Sequence, residues 1–323
     1  MSRKYEELYQ AIKSSSNIMI VPHKYPDGDA LGSSLAIYIA LKRMGKNVWL
    51  ISHTPIPSKY AFLSENYTFL PLELVPSDLD LIIGVDCADK ERLNLSDDYL
   101  KRAKKVVNID HHVTNDQFGS INIIQPVAAT GEIVVDIFDD FGFEIDKDIA
   151  TCLYTAIATD TGNFMYSNTT QNSFEKTARL FNTGFEFVDI ARRLFLEKSL
   201  AQTRLIGLAI SKMEMFQDEK IALITVMKDD MTQVGAKEGD CETLVNIAVD
   251  VETVQVAIFI REITKSFFKV SFRSKGDVDV AKASQIYGGG GHKNAAGCAV
   301  NGDFETVKQN VISLVKDMFF KSE

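Results

Sequence analysis

The chain has no paired cysteines. Cys87, Cys152, Cys241 and Cys298 are scattered, with no CxxC among them. That argues against a disulfide framework and for free thiols in a reducing compartment, so the cytoplasm is the expected location. No apolar run approaches the ~20 residues of a membrane span, and no membrane association is expected. The start, MSRKYEELYQAIKSSSNIMIV, has no basic segment followed by an apolar stretch and cleavage site, so no secretory signal is expected either. Positive charge is also short: 35 Lys and Arg face 44 Asp and Glu, a net charge of −9. Proteins that grip long DNA or RNA usually present a basic surface, because phosphate neutralisation dominates that affinity. An acidic chain repels long duplex nucleic acid but suits a small anion held where a few cations are concentrated. Mononucleotides or short oligonucleotides are therefore the expected partners. Internal repeats and low-complexity segments are absent.

What is present suits two globular domains. The length is 323 residues, with 46% hydrophobic and 24% charged residues, against about 100–200 residues per domain. NIMIVPH (17–23), VWLIS (48–52), LDLIIGVDC (79–87) and VVNIDHH (106–112) read as strands. Helical stretches lie between and after them: Ala30 to Met44, DDYLKRAKK, 129–141 and 147–159. This βαβ series predicts an α/β fold with a mostly parallel sheet. Residues from about 170 to 210 are helical. Beyond them MEMFQDEKIALITV reads as a hairpin, TVQVAIFIREI and SFFKVSFRSK as strands of an antiparallel sheet, and DFETVKQNVISLVKDMFF as an amphipathic helix capped by Asp303. The expected layout is a domain over 1–187, a helical linker over 188–210 and a smaller α+β domain over 211–323.

Three strands of the first domain end in groups able to bind a metal. The first carries His23-Lys-Tyr-Pro-Asp27-Gly-Asp29, where the glycine is expected to let both carboxylates point one way. The second ends in Asp86 and the third in Asp110-His111-His112, while Asp160 closes a later helix. Sites in open α/β sheets form at the carboxyl ends of strands, which would bring these residues together. Taken singly, Asp27 and Asp29 read more readily as turn and N-cap residues. Asp86 alone could end a turn, and His53 reads as an ordinary structural histidine. The histidines decide the matter, since four of five sit in polar or glycine-rich strand-end motifs. Histidine and carboxylate without cysteine suit Mn²⁺ or Mg²⁺, with imidazole favouring Mn²⁺. Six such ligands are too many for one catalytic ion and fit two, which would activate water and neutralise phosphoryl oxygens.

Near the C-terminus, VAKASQIY is followed by Gly288-Gly289-Gly290-Gly291-His292-Lys293-Asn294. As a bare glycine run this would be a flexible turn. With His292, Lys293 and Asn294 adjoining, it reads as a loop that presents N–H groups to phosphate oxygens. Arg273 with Ser274, and Arg261 at the end of a preceding strand, are further phosphate-binding candidates. Arg273 is preferred, because guanidinium matches phosphate bidentately.

These residues resemble the DHH phosphoesterase superfamily, whose HxxxDxD, strand-end Asp, DHH and later Asp motifs occur here in order. The glycine loop resembles the GGGH motif of the domain associated with one DHH subfamily, so the likeness spans roughly residues 15 to 320. It implies one ion bound by His23, Asp27 and Asp86, and a second by Asp29, Asp86, His111 and Asp160. It further implies that Asp110 orients a histidine, that His112 faces substrate, and that Asp89 and Arg92 lie near it. Gly289, Gly290, Gly291, His292 and Asn294 would hold the nucleotide. RecJ exonucleases share both motifs but carry extra nucleic-acid-binding regions, and type II pyrophosphatases lack the glycine loop. The two-domain layout looks like the bacterial nanoRNases, which degrade oligonucleotides of a few residues and remove the 3′-phosphate of pAp.

The expected activity is therefore release of 5′-mononucleotides from short oligoribonucleotides, and conversion of pAp to AMP and phosphate, in a cleft between domains. A homodimer is compatible with this layout. The rival enzymatic readings are a phosphodiesterase of c-di-AMP or pApA and an exopolyphosphatase. A silent nucleotide-binding module is the rival of another class, and it predicts missing metal ligands, whereas all are present.

Overall fold

Runs of aliphatic and β-branched residues too short for helices build the first sheet. They are β1 (Asn17–Pro22), β2 (Asn47–Leu50), β3 (Leu79–Val85), β4 (Ala103–Asp110) and β5 (Ile121–Ile124). All pair in parallel, in the order β2-β1-β3-β4-β5. The strands are apolar almost throughout because both faces are covered. Ile18, Ile20, Ile83 and Ile109 face one helical layer, while Met19, Val21 and Ile82 face the other side. This is a computed structural model, and it describes residues 4–320.

The helices of this part are α1 (Glu6–Ser14), α2 (Gly28–Arg43), the short α3 (Lys90–Leu93) and α4 (Asp97–Leu100), α5 (Thr130–Phe141), α6 (Lys147–Asp160), α7 (Gln171–Phe181) and α8 (Phe187–Phe195). The close approach of α2 to α6 depends on two glycines. A Cβ at Gly28 would sit 2.3 Å from Thr159 Oγ1, and one at Gly32 would sit 2.3 Å from the Cys152 carbonyl oxygen. Gly28 thus serves helix packing rather than the turn expected of it. The consequence is that the start of α2 meets the end of α6.

The chain divides into two compact units between residues 197 and 198. The linker expected over 188–210 is not a separate element. Ile190 of α8 belongs to the core of the first unit, and Leu205 and Ala209 of α9 (Leu200–Ser211) to a core of the second. The helix expected over DDYLKRAKK also ends early, at Leu100. Ala103 and Lys105 already pair with Leu79 and Leu81, because sheet pairing overrides the helical preference of that lysine-rich stretch.

The second unit holds β6 (Glu214–Phe216), β7 (Ile221–Val226), α10 (Lys228–Val234), α11 (Leu244–Val249), β8 (Val256–Thr264), β9 (Phe267–Ser274), α12 (Val280–Ile286), β10 (Gly290–His292), β11 (Ala295–Asn301) and α13 (Phe304–Phe319). Its sheet has the order β10-β11-β9-β8-β7-β6. It is mixed rather than antiparallel: β7 runs parallel to β8, with α10 and α11 forming the crossover between them. One face packs on α12 and α13 and the other on α9, α10 and α11. No helix among the described residues is long and apolar enough to cross a membrane.

Candidate metal centre

Strand order places the centre. The chain moves from β1 outward to β2, then returns to β3 on the other side of β1, so the carboxyl ends of β1 and β3 flank a topological switch point. His23 follows β1, Asp86 follows β3, and Asp110 ends β4 just before His111 and His112. Asp27 and Asp29 stand at the start of α2, and Asp160 ends α6. The glycine-mediated contact of α2 with α6 brings Asp29 and Asp160 into the same cup.

Asp86 turns its two oxygens to different histidines. Oδ2 is 3.7 Å from His23 Nε2, and Oδ1 is 3.6 Å from His111 Nε2. Asp27 Oδ2 lies 3.8 Å from His23 Nε2, while Asp160 Oδ2 and Asp29 Oδ2 lie 3.6 and 4.0 Å from His111 Nε2. These separations exceed hydrogen-bond range, so the groups surround a space instead of satisfying one another. Ligand atoms come within 4.8 Å of each other in each of the sets His23–Asp27–Asp86, Asp29–His111–Asp160 and Asp86–His111–His112. Asp29 and Asp86 are buried, with side chains 1% and 3% exposed, whereas Asp27, Asp160 and His112 keep 55%, 29% and 26% at the open side.

Local structure aims each group. Asp27 is the N-cap of α2, its Oδ1 accepting from the N–H groups of Asp29 and Ala30 while Oδ2 faces His23. The capping role and the site role thus coexist on one carboxylate. Asp86 adopts a left-handed backbone (φ 57°) just past β3, and its N–H donates to the Ile109 carbonyl. Such strain at a strand end is characteristic of functional positions. His111 Nδ1 lies 3.1 Å from the Val127 carbonyl, which can only accept, so Nδ1 carries the proton and Nε2 offers its lone pair to the cup.

The electrostatics call for a cation. Burial, joined by the charges of Asp160 and Asp27, pushes the Asp29 carboxyl well above the usual range, against the lowering effect of the Thr130 and Gly131 N–H groups. Burial and the neighbouring Asp29 and Asp27 do the same to Asp86. His111 is raised overall, since Asp86 and Asp160 outweigh the opposing effect of burial. Oxygen and imidazole donors, crowded and partly desolvated, fit a divalent ion of the manganese or magnesium type. The groups are placed for a metal.

Asp110 is fully buried and does not face this space. Its Oδ1 lies 2.7 Å from His112 Nδ1, and its Oδ2 accepts from Asn115 Nδ2 at 2.6 Å. Burial raises the Asp110 carboxyl, but the His112 and Asn115 hydrogen bonds bring it below the usual carboxylate range. Asn115 was missed in the sequence, where its only signal is an amide three residues beyond the DHH triplet. Thr130, Gly131 and Ser33, which hold Asp29 and Asp86, were missed as well. Small residues at a helix start were their only trace. His53 bonds to the Leu93 carbonyl, the structural role expected of it.

Asp89 caps α3, and the exposed Arg92 is anchored beside the cup by its own carbonyl, which accepts from Lys24 N–H at 2.9 Å. The residues expected to bind phosphate in the second unit are more constrained than the sequence suggested. Arg261 lies within β8 rather than at its end, 7% exposed and paired with Glu238. Ser274 Oγ donates to Val278 O and receives Asn294 Nδ2, which also reaches the Gly276 carbonyl, so both side chains staple a turn. Arg273 spends Nε on Asn246. The glycine loop is partly a strand, since Gly290, Gly291 and His292 pair with Gly297, Ala296 and Ala295. Gly289 and Gly291 are required by packing, because a Cβ would meet the Gly297 or Ala295 carbonyl oxygen at 2.3 or 2.4 Å. Gly290 has open space around it.

A parallel α/β sheet with a histidine–carboxylate cup at its switch point, followed by a mixed-sheet unit, defines a metal-binding phosphoesterase layout. The chain belongs to the DHH family: residues 17–157 match the DHH family, N-terminal domain, and residues 218–319 match the DHHA1 domain. It is 33% identical over 317 residues to the bifunctional oligoribonuclease and PAP phosphatase NrnA of Thermus thermophilus, covering 98% of this chain and 93% of that protein. The protein of the same name from Bacillus subtilis is 26% identical, with 91% and 92% covered. Among solved structures, an exopolyphosphatase-related protein from Bacteroides fragilis superposes with a TM-score of 0.89 at 28% identity, over 98% of this chain and 97% of that one.

Proposed function

We propose that the protein is a metal-dependent phosphoesterase that hydrolyses short oligoribonucleotides to 5′-mononucleotides and pAp to AMP and phosphate. The observation that carries this reading is Asp86, whose two oxygens serve two separate histidine-centred groups. The two relatives named for these activities, each matched over more than nine-tenths of its length, support the substrate class. His23, Asp27 and Asp86 would hold one ion, and Asp29, Asp86, His111 and Asp160 would hold the second. Two Mn²⁺ ions, replaceable by Mg²⁺, supply charge neutralisation at the phosphoryl oxygens and activation of water.

The remaining steps belong to the chain itself. Asp110, itself held by Asn115, holds His112 through Nδ1, which leaves Nε2 to act on substrate. A proton at Nε2 stabilises developing phosphoryl charge or passes to the departing ribose oxygen. Arg92 offers a guanidinium to a neighbouring phosphate. In the second unit β10 is an edge strand, and its unpaired edge is where backbone groups of the glycine segment would meet a nucleotide. Arg273 remains the preferred clamp there, because a guanidinium matches a phosphate bidentately. The acidic balance of the chain fits short substrates, and the four buried thiols fit the cytoplasm.

The test is Mn²⁺-dependent turnover of pAp, pApA, c-di-AMP, polyphosphate and an RNA length series, with products resolved. Release of 5′-mononucleotides from the shortest RNAs, with pAp also cleaved, is expected. Turnover of polyphosphate alone would favour the second reading, exopolyphosphatase, which the name of the Bacteroides fragilis structure raises. A preference for c-di-AMP would keep the metal chemistry and move the substrate.

A further inference from the structure

Thr130 opens α5 and is completely buried. Its backbone N–H donates to Asp29 Oδ2 at 2.6 Å, and its Oγ1 donates to Asp86 Oδ1 at 2.9 Å. The next N–H, that of Gly131, donates to Asp29 Oδ1 at 2.9 Å. One helix start therefore grips two metal-ligating carboxylates. It grips them on one side only. The oxygens that Thr130 itself touches, Asp86 Oδ1 and Asp29 Oδ2, are those that face His111 at 3.6 and 4.0 Å, while Gly131 takes the remaining oxygen of Asp29. The other Asp86 oxygen faces His23, and Asp27 is held by N–H groups of α2.

We infer that Thr130 is a positioning residue that sets the affinity of one ion position, that of Asp29, His111 and Asp160 with Asp86 Oδ1, and leaves the His23–Asp27 position largely unaffected. This rests on the two-ion reading above. The physical reason is rotation. A carboxylate can turn about its Cβ–Cγ bond, and the Thr130 hydroxyl, bonded to the Asp86 oxygen nearest His111, holds that oxygen in place and takes up one of its lone pairs. Its backbone N–H does the same for Asp29.

The platform is itself tied to a second helix. Glu132, in the first turn of α5 and fully buried, accepts from Ser173 Oγ and Asn172 Nδ2 at 2.6 Å each. Lys176 Nζ donates to the Glu132 carbonyl at 2.7 Å. The first turn of α5 is thus braced by α7, and Thr130 positions the ligands without having to move.

The experiment is Mn²⁺ titration of the metal-free full-length protein by calorimetry, with free Mn²⁺ followed by electron paramagnetic resonance. Wild type, T130V and T130S are compared, and the melting temperature of each metal-free variant is recorded. Valine keeps the shape and the backbone N–H but removes the hydroxyl, and serine restores it. Wild type is expected to bind two ions. T130V should keep one and bind the other roughly 10–100-fold more weakly, as loss of a group orienting a ligand does, and T130S should restore it. S33A, which removes the Ser33 donor to Asp29 Oδ1 without touching α5, should weaken the same ion, and it stands in if T130V does not fold. Two-site binding by wild type with T130V unchanged, or with both ions weakened alike, overturns the inference and leaves the two-ion reading intact. Wild type binding no Mn²⁺ overturns both.

Discussion

His112 Nδ1 lies 2.7 Å from Asp110 Oδ1, whereas His23 and His111 stand 3.6 to 4.0 Å from their carboxylates. The short pair is a hydrogen bond, and the longer separations enclose a space. One cup therefore holds two kinds of histidine, one hydrogen-bonded to a buried carboxylate and the others set back from theirs across a space.

From that division, His112→Ala is expected to lower kcat by roughly 10²–10⁴-fold, the usual effect of losing a proton-transfer group, with Mn²⁺ affinity little changed. Asn115→Ala should cost about 10–100-fold by releasing Asp110. Steady-state kinetics beside a Mn²⁺ titration decide it. Equal loss of metal from H112A would make His112 a ligand instead.

The metal-free protein should become more stable as pH falls from neutrality. Asp29 and Asp86 have raised carboxyls in the fold. Their contribution is fully present below about pH 4, the unfolded value, and is lost as pH rises through the folded values. His111, also raised, acts in the same sense above its unfolded value of about 6.5. Asp110, held low, opposes this only below about pH 4. Denaturation midpoints of chelator-treated protein at about pH 7.5 and 5.5 test it, and saturating Mn²⁺ should abolish the trend. A metal-free midpoint that rises with pH would count against a cup strained by its own negative charge.

Gly32→Ala should destabilise by about 1–3 kcal/mol, because its Cβ would collide with the Cys152 carbonyl oxygen. By moving α6 it should also weaken Mn²⁺ binding through Asp160. Gly207, within α9, has nothing within 4 Å, so Gly207→Ala should stabilise by about 0.5–1 kcal/mol. Thermal and chemical melts of the two variants provide the comparison.

The glycine segment separates packing from binding. Gly291→Ala should disrupt the β10–β11 hairpin, since φ is 143° and its Cβ would meet the Ala295 carbonyl oxygen at 2.4 Å. Gly290→Ala has room and no left-handed backbone. It should leave the melting temperature alone and raise KM for pAp. An unchanged KM would remove Gly290 from the proposed nucleotide site.

The sequence by itself determined the parallel α/β first unit and the residues that meet in the cup. Strand runs such as LDLIIGV ending in a carboxylate depend only on local pattern, and strand carboxyl ends converge in any open parallel sheet. Tertiary structure alone decided the rest. β7 pairs parallel with β8 because α10 and α11 intervene, and neither short helix has a strong local signal. Gly28 looked like a turn residue and is a helix-packing contact, since the atom it must avoid, Thr159 Oγ1, is far away in sequence. Arg261, Ser274 and Asn294 looked available to a ligand, yet their partners lie on neighbouring strands and turns. Thr130 and Asn115 were invisible as site residues for the same reason: a hydrogen bond to a carboxylate across the fold leaves no periodicity in the chain. Residue type and spacing named the groups that can bind a cation, but which oxygen of Asp86 faces which histidine is set by packing.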